Sequence, residues 1–151
     1  MSRDPVWKVG AVLVHPDRRQ CSMGYNGLVK GMPETPENWG KPRKLMLVRH
    51  AERNAISWAP FYKPGSELFV PLRPCAYCLG DAVNNGISRV AWFRDPANEA
   101  NPDYYGPEWD MFASMVETAE YDLDDKTTAI LALYGLDGTM KYPKEAEGCT
   151  T

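Results

Sequence analysis

The sequence lacks the features that mark several large classes of protein. Only two histidines and four cysteines occur among its 151 residues, which gives no disulfide framework to read. No apolar run reaches the roughly eighteen residues that a membrane-spanning helix needs. The first residues also lack the basic, apolar and small-residue order of a secretory signal. We therefore expect no membrane association and a location in a reducing cytoplasm, or in the host cytoplasm for a viral protein.

A surplus of positive charge is absent as well. The chain has 17 basic and 20 acidic residues, a net charge of −3 and a sequence pI near 5.4. Proteins that hold a long nucleic acid usually present a basic face to it. The composition therefore predicts no nucleic-acid partner, and the short basic pair Arg43 and Lys44 is interpreted as solvated surface.

The length suits a single domain with a sizeable core, covering residues 1–151 and ending in a polar, frayed tail at 141–151. Strands are predicted at 9–14, 21–25, 68–72 and 88–93, with helices at 50–59 and 75–85 and Gly86 at the cap of the second. Further along, a helix at 107–121 precedes a last strand at 127–134, of which residues 129–133 are equally compatible with a helix. Residues 26–49 and 95–106 are predicted to be loops at the site. The strand-helix-strand passages predict an α/β protein with a parallel element in its sheet.

Two short motifs stand out from this background. His50-Ala51-Glu52 is followed, 22 positions after Glu52, by Pro74-Cys75-Ala76-Tyr77-Cys78. The motifs supply three zinc ligands, His50, Cys75 and Cys78, whereas a structural zinc is closed by four. His15, Cys21 and Cys149 lie outside any close-paired ligand spacing. The pattern predicts one zinc ion per chain with a coordination position left for water.

Glu52 is too close to His50 to be a second ligand from the same helical face. We expect it to carry protons between the attacking water, the substrate and the leaving group. Pro74 suits the first turn of a helix, whose positive end would favour the thiolate form of the cysteines. A purely structural zinc clip or a redox pair is the alternative, but neither of them needs Glu52.

This motif pair resembles the zinc-dependent nucleoside and nucleotide deaminases. Three further segments narrow the resemblance: Ser2-Arg3-Asp4-Pro5, the strand at 9–14 and the turn Gly24-Tyr25-Asn26-Gly27. Together with residues 50–56 they are similar to the deoxycytidylate deaminase family, over about residues 2–93. The resemblance implies a three-layer α/β/α cytidine deaminase-like fold, with a mixed sheet of about five strands and helices on its faces.

The same resemblance implies an activity and a set of contacts. The expected reaction is hydrolytic deamination of dCMP to dUMP plus ammonia, which supplies dUMP for dTMP synthesis, with Glu52 as the catalytic residue. The backbone of Ala51 would meet the base and Asn26 would contact the nucleotide, while Ser2 and Arg3 are candidate phosphate ligands. The other basic candidates for the phosphate are Lys8, Arg49, Arg73 and Arg94.

Assembly and regulation are also implied by the family. Its members are often homohexamers that are activated by dCTP and inhibited by dTTP. By this resemblance an effector nucleotide, with Mg2+, would bind near Gly24, Tyr25 and Gly27. Relatives also carry an additional N-terminal helix, so one sheet face would need cover from another subunit or from residues 107–121, unless the chain is shortened at its start. Alternatives that remain open are deamination of cytidine or guanine, deamination of a nucleic acid, and a non-catalytic zinc-binding module.

Overall fold

The computed structural model describes residues 1–94 and 106–122. Met1–Tyr121 form one compact unit, and Asp122–Thr151 are grouped as a second unit of which only Asp122 is described. The expected strand at 127–134, the tail at 141–151 and nearly all of the loop at 95–106 lie outside the described residues. The prediction of a single domain over residues 1–151 stays a prediction.

The described chain alternates short strands and helices. The strands are β1 (Gly10–Val14), β2 (Cys21–Tyr25), β3 (Gly27–Leu28), β4 (Val48–Arg49), β5 (Glu67–Val70), β6 (Arg89–Phe93) and β7 (Glu117–Tyr121). The helices are α1 (Pro36–Trp39), α2 (Arg43–Leu47), α3 (Ala51–Trp58), α4 (Ala76–Asn84) and α5 (Pro107–Ala113). No helix among them combines the length and the apolar character needed to cross a bilayer.

The main sheet has five strands in the order β2-β1-β5-β6-β7. Strand β1 runs antiparallel to both of its neighbours, whereas β5, β6 and β7 are mutually parallel. The predicted hairpin of β1 and β2 and the predicted mixed five-stranded sheet are confirmed. Connections between parallel strands run through α4 and α5, as a crossover requires.

One face of the sheet forms the core. Leu13, Leu68 and Val90 are opposite one another across three strands, and none is more than 1% exposed. Helix α3 packs on β1 and β2 at very close range. A Cβ atom on Gly24 would lie 2.2 Å from the backbone O of Ala51 and 2.2 Å from the backbone N of Ala55. Only glycine allows this approach, which fixes α3 directly on the strand.

Helix α5 lies on the same side of the sheet as α4. Its Trp109 packs edge to face against Trp92 of β6, which shares the core face with Val90. Phe112 contacts α4 at Gly80, where a Cβ atom would be 3.1 Å from the phenyl ring. Helix α5 therefore does not provide the cover for the opposite face that was one option for residues 107–121.

Several boundaries differ from the sequence prediction. The helix expected at 107–121 ends at Ala113, because residues 117–121 pair in parallel with β6 as strand β7. The strand expected at 68–72 is Glu67–Val70. Pro74 is not in the first turn of a helix, since α4 begins at Ala76 with Cys75 as its N-cap. Gly86 has a φ of 69° after α4, as its predicted capping position requires.

Residues 26–49 are not the unstructured loop that was expected. Gly27 and Leu28 pair with Arg49 and Val48, so the two ends of the segment are joined as an antiparallel ladder. Between them, α1 begins at Pro36 with the Thr35 side chain accepting from the Asn38 amide. Threonine at the N-cap followed by proline is a helix-start signal that the sequence already contained.

Candidate metal centre

The two motifs meet at the beginnings of two helices. His50 is the N-cap of α3 and Cys75 is the N-cap of α4, both with extended backbone and with no side-chain capping bond. Cys78 lies in the first turn of α4, three residues after Cys75. Helices α3 and α4 contact each other. The helix starts therefore bring one imidazole and two thiols together, although their motifs are 25 residues apart.

The three donor atoms have the spacing of ligands to one ion. Nδ1 of His50 is 3.4 Å from Sγ of Cys75 and 3.4 Å from Sγ of Cys78. All three donor atoms lie within 4.8 Å of one another. Tetrahedral zinc with Zn–S near 2.3 Å and Zn–N near 2.0 Å places nitrogen and sulfur about 3.6 Å apart. The donor set and its geometry thus fit zinc.

The site is shielded from solvent and biased toward thiolate. Cys78 is 0% exposed and Cys75 is 8% exposed. A hydrogen bond from the Cys78 thiol lowers the pKa of Cys75 to about 4, and the same bond raises the pKa of Cys78. The hydrogen bond to Cys75 raises the pKa of His50. The lowered pKa of Cys75 favours its thiolate, which is the form that binds a metal.

Glu52 lies in the first turn of α3, beside these donors. Its side chain is 6% exposed, and burial raises the pKa of its carboxyl group above the usual range. A carboxyl group with a raised pKa holds a proton more readily than an exposed one, which suits an acid–base group. Hydrogen bonding to Cys78 acts in the opposite direction on the pKa of Glu52 and places its carboxyl next to the candidate zinc ligands.

Asn26 belongs to a separate buried group. Its Oδ1 accepts from the Val9 amide at 2.9 Å, and its Nδ2 donates to the Trp7 carbonyl at 2.8 Å and to Oδ2 of Asp4 at 3.2 Å. Asp4, which is 1% exposed, also accepts from the amides of Val6 and Trp7. We refer to Asp4, Val6, Trp7, Asn26 and Lys44 as the Asp4 cluster.

Lys44 completes the Asp4 cluster and contradicts its sequence interpretation. Its Nζ is 2.8 Å from the Asp4 carboxylate, its side chain is 14% exposed, and its ammonium also lies 5.7 Å from the centre of the Trp39 ring. The solvated-surface interpretation is therefore wrong for Lys44, although Arg43 is exposed as expected. No local pattern could reveal the pair, because 40 positions separate its members.

The remaining candidate residues have diverse environments. Ala51 is 0% exposed, Ser2 accepts from the Asp4 amide through Oγ at 3.2 Å, and Arg3 is exposed. In the Gly24-Tyr25-Asn26-Gly27 turn, Gly24 lies beneath α3, Tyr25 packs against Trp58 with ring centres 5.3 Å apart, and Gly27 begins β3. Close packing under α3 is thus a sufficient reason for glycine at position 24.

Three of the other basic candidates for the phosphate, Arg49, Arg73 and Arg94, have protein partners, whereas Lys8 is exposed. Arg49 donates to Ser57 at 2.9 Å, and Arg94 is 3.6 Å from Glu120. The guanidinium of Arg73 lies 3.8 Å from the centre of the Trp109 ring. Trp109, buried on α5, donates from Nε1 to the carbonyl of Pro74, next to the candidate zinc ligand Cys75.

The mixed five-stranded sheet and the His-Cys-Cys donor set at two helix starts define a metal-binding α/β protein. A family model described as the cytidine and deoxycytidylate deaminase zinc-binding region matches residues 1–94. The chain belongs to this family.

Individual relatives agree with this assignment. The chain is 30% identical over 141 residues to a probable deoxycytidylate deaminase of Drosophila melanogaster, covering 85% of this chain and 69% of that protein. It is 29% identical over 107 residues to the deoxycytidylate deaminase of Homo sapiens, and spans 60% of that relative's length. The dCMP deaminase of cyanophage S-TIM5, solved in complex with dCMP and dUMP, shares the fold with a TM-score of 0.55. The match covers 76% of this chain and 82% of the phage chain at 24% identity.

Proposed function

We propose that this protein catalyses the hydrolytic deamination of dCMP to dUMP, with release of ammonia, and so supplies dUMP for dTMP synthesis. The observation that carries the proposal is the convergence of His50, Cys75 and Cys78 on one point, with the buried carboxyl of Glu52 beside them. Family membership supports the reaction type. The names of the Drosophila and human relatives support the nucleotide substrate.

His50, Cys75 and Cys78 would hold the zinc ion, and zinc bound in such a site activates a water molecule for attack on C4 of the cytosine ring. Glu52 accepts a proton from the attacking water and delivers it to the adjacent ring nitrogen. It then carries the second proton to the departing amine, so that water and dCMP become dUMP and ammonia. The raised pKa of Glu52 suits both directions of transfer.

The substrate contacts are proposed at the residues next to these groups. The backbone of Ala51, between the ligand His50 and Glu52, would meet the base. Both Nδ2 hydrogens of Asn26 are engaged, but Oδ1 has two lone pairs and accepts only from the Val9 amide among the described residues, so it can also accept from a sugar hydroxyl. The exposed Arg3 and the hydroxyl of Ser2 would bind the phosphate, for which guanidinium geometry is well suited.

Assembly and regulation are further parts of this proposal. We propose a homohexamer in the cytoplasm, activated by dCTP and inhibited by dTTP with Mg2+, on the family resemblance alone. Tyr25 is 41% exposed, and a Cβ atom on Gly27 would meet nothing within 4 Å, so these two can face an effector. Gly24 would act only by allowing α3 to pack. Light scattering with and without each nucleotide tests the subunit number.

A substrate panel tests the activity. Ammonia release is measured from dCMP, CMP, deoxycytidine, cytidine, dCTP, guanine, a 5-modified dCMP and a single-stranded oligonucleotide, each with and without dCTP or dTTP. We expect the highest kcat/KM with dCMP. Equal values for dCMP and deoxycytidine would contradict recognition of the phosphate, and turnover of guanine or the oligonucleotide alone would replace the proposed substrate. Bound zinc without turnover of any compound would indicate a non-catalytic module.

A further inference from the structure

We propose that Trp109 is a positioning residue for the metal ligands, acting through its hydrogen bond to Pro74. The inference extends the proposed function and depends on it only in taking His50, Cys75 and Cys78 as zinc ligands. Trp109 is on α5, far along the chain from both motifs, and is not itself a ligand or a proton carrier.

The hydrogen bond acts on the peptide that leads into Cys75. Nε1 of Trp109 donates to the Pro74 carbonyl at 2.9 Å, and both side chains are buried, Trp109 to 6% exposure and Pro74 to less than 2%. The proline ring fixes φ, and the Pro74–Cys75 peptide is planar, so ψ of Pro74 is the one soft torsion at this residue. Rotation about ψ swings the carbonyl. Holding the carbonyl therefore fixes the direction from which Cys75 enters the site.

The indole is itself held in place. Trp92 packs against it edge to face, with ring centres 6.0 Å apart at 86°, and the guanidinium of Arg73 lies 3.8 Å over its ring. Phe112, one turn further along α5, contacts α4 at Gly80. Two direct contacts on the indole, together with the packing of α5 on α4, hold the donor so that it can impose a position on its acceptor. Groups that orient metal ligands from outside the coordination sphere typically change metal affinity by about 10- to 100-fold when lost.

The chain offers a matched control for this hydrogen bond. Trp92 and Trp109 are both 6% exposed and belong to the same core cluster. Nε1 of Trp92, however, donates to no group within residues 1–94 and 106–122. Trp92→Phe and Trp109→Phe therefore remove the same ring volume from one cluster, but only the second removes a hydrogen bond to the ligand-bearing peptide.

The experiment measures zinc release from the purified zinc-loaded protein to a chromogenic chelator, with urea unfolding as a parallel readout. We expect Trp109→Phe to release zinc about ten-fold faster than the wild type. Trp92→Phe keeps an aromatic ring beside the Trp109 indole and leaves the hydrogen bond to Pro74 in place, so its release rate should stay within about two-fold of the wild type, with a similar loss of unfolding stability in both variants. Replacing Trp109 with its benzothienyl isostere, which keeps the ring volume and lacks the N–H, should also speed release, and this variant decides the question if Trp109→Phe does not fold.

Equal release rates for the two phenylalanine variants, or an isostere that releases zinc as slowly as the wild type, would overturn the positioning role. Zinc binding with normal stoichiometry but no deamination would contradict the proposed function and leave the Trp109 test intact. A wild-type protein that binds no zinc would overturn both.

Discussion

The metal centre and the Asp4 cluster are both buried polar groups, but they are encoded in different ways. The metal centre uses residues whose chemistry is unusual in this sequence, placed at the first residues of two helices. The Asp4 cluster uses common residue types, and 40 positions separate its ion pair, Asp4 and Lys44. The metal centre can be predicted from residue identity and spacing. The Asp4 cluster forms only when the folded chain brings its members together. The same contrast predicts that substitutions at the metal centre act mainly on chemistry, and that breaking the ion pair of Asp4 and Lys44 acts mainly on stability.

Cys78→Ser should have the largest effect on activity. A serine hydroxyl is a poor zinc ligand, so we expect loss of stoichiometric zinc and a fall in kcat of at least about 10³-fold, the factor that several kcal/mol of metal stabilisation represents. Metal analysis and ammonia release from dCMP measure the two effects. Cys21→Ser, at an exposed cysteine on β2, is the control and should retain both zinc and activity. Full zinc occupancy in Cys78→Ser would remove this residue from the ligand set.

Glu52→Gln should separate proton transfer from metal binding. The amide keeps the shape of the buried side chain but cannot carry a proton, so we expect kcat to fall by about 10²- to 10⁴-fold while zinc is retained. Steady-state kinetics and metal analysis on the same sample test this. Glu37→Gln, at an exposed position in α1, should leave kcat unchanged. A variant of Glu52 that keeps more than a tenth of wild-type kcat would contradict its assigned role.

Asp4→Asn tests whether the ion pair of the Asp4 cluster stabilises the fold. It leaves the ammonium of Lys44, 14% exposed, without its carboxylate, and breaking such a buried pair costs about 3 kcal/mol. Urea unfolding should show this loss, with the zinc content unchanged. Adding Lys44→Met to Asp4→Asn should restore much of the stability, since no unpaired charge remains. If Lys44→Met alone is as mild as Lys30→Met at an exposed lysine, the ion pair does not stabilise the fold.

Gly24→Ala should act through packing, because Gly24 lies on β2 directly beneath α3. The added Cβ atom would be 2.2 Å from backbone atoms of α3, so the helix must move, at a cost of about 2 kcal/mol. Because His50 and Glu52 are at the start of that helix, kcat should fall together with the unfolding free energy. Gly27→Ala, with open space around the new methyl group, should cost well under half as much stability. Equal stability losses would mean that α3 tolerates displacement from β2.

Arg53→Gln should have the smallest effect. Nε of Arg53 is 2.6 Å from Asp81 and joins α3 to α4, but the two side chains are 42% and 39% exposed. Solvent screening limits such a pair to about 0.5 kcal/mol of unfolding free energy, which chemical denaturation in low salt can detect. Arg19→Gln, in the exposed turn after β1, provides the baseline. A loss above about 2 kcal/mol would show that the bridge between the ligand-bearing helices is far stronger than an exposed pair.

The features that could be predicted from the sequence are those determined by residues close together in the chain or by their ligand chemistry. The donor set of His50, Cys75 and Cys78 follows from ligand chemistry and spacing, and the β1–β2 hairpin follows from its apolar strands and polar turn. The short helices α1 and α2 and the β3–β4 ladder, all within residues 26–49, were not predicted, although Thr35 and Pro36 form a helix-capping signal. Here the many glycines and prolines concealed elements of four or five residues.

Tertiary contacts decided the remaining differences. Residues 117–121 have helix-compatible neighbours in sequence, but pairing with β6 makes them a strand. The role of Lys44 depends on a carboxylate 40 positions away, and that of Trp109 on a carbonyl 35 positions away. Charge and aromatic character are visible in a sequence, whereas the partner of a given side chain is set by the path of the chain. These contacts therefore could not be read from local patterns.

The ladder between β3 and β4 closes residues 29–47 into a loop whose length can be changed. Gly27 and Leu28 pair with Arg49 and Val48, and the Val29 amide donates to the Leu47 carbonyl at 3.0 Å, so the chain leaves and re-enters the fold at one place. Each doubling of length in such a closed loop costs only about 0.6 kcal/mol of entropy. Longer or shorter inserts can thus be grafted here without moving His50, provided that the insert returns a cation to Asp4. Residues 29–47 can therefore be varied in length independently of the candidate metal centre.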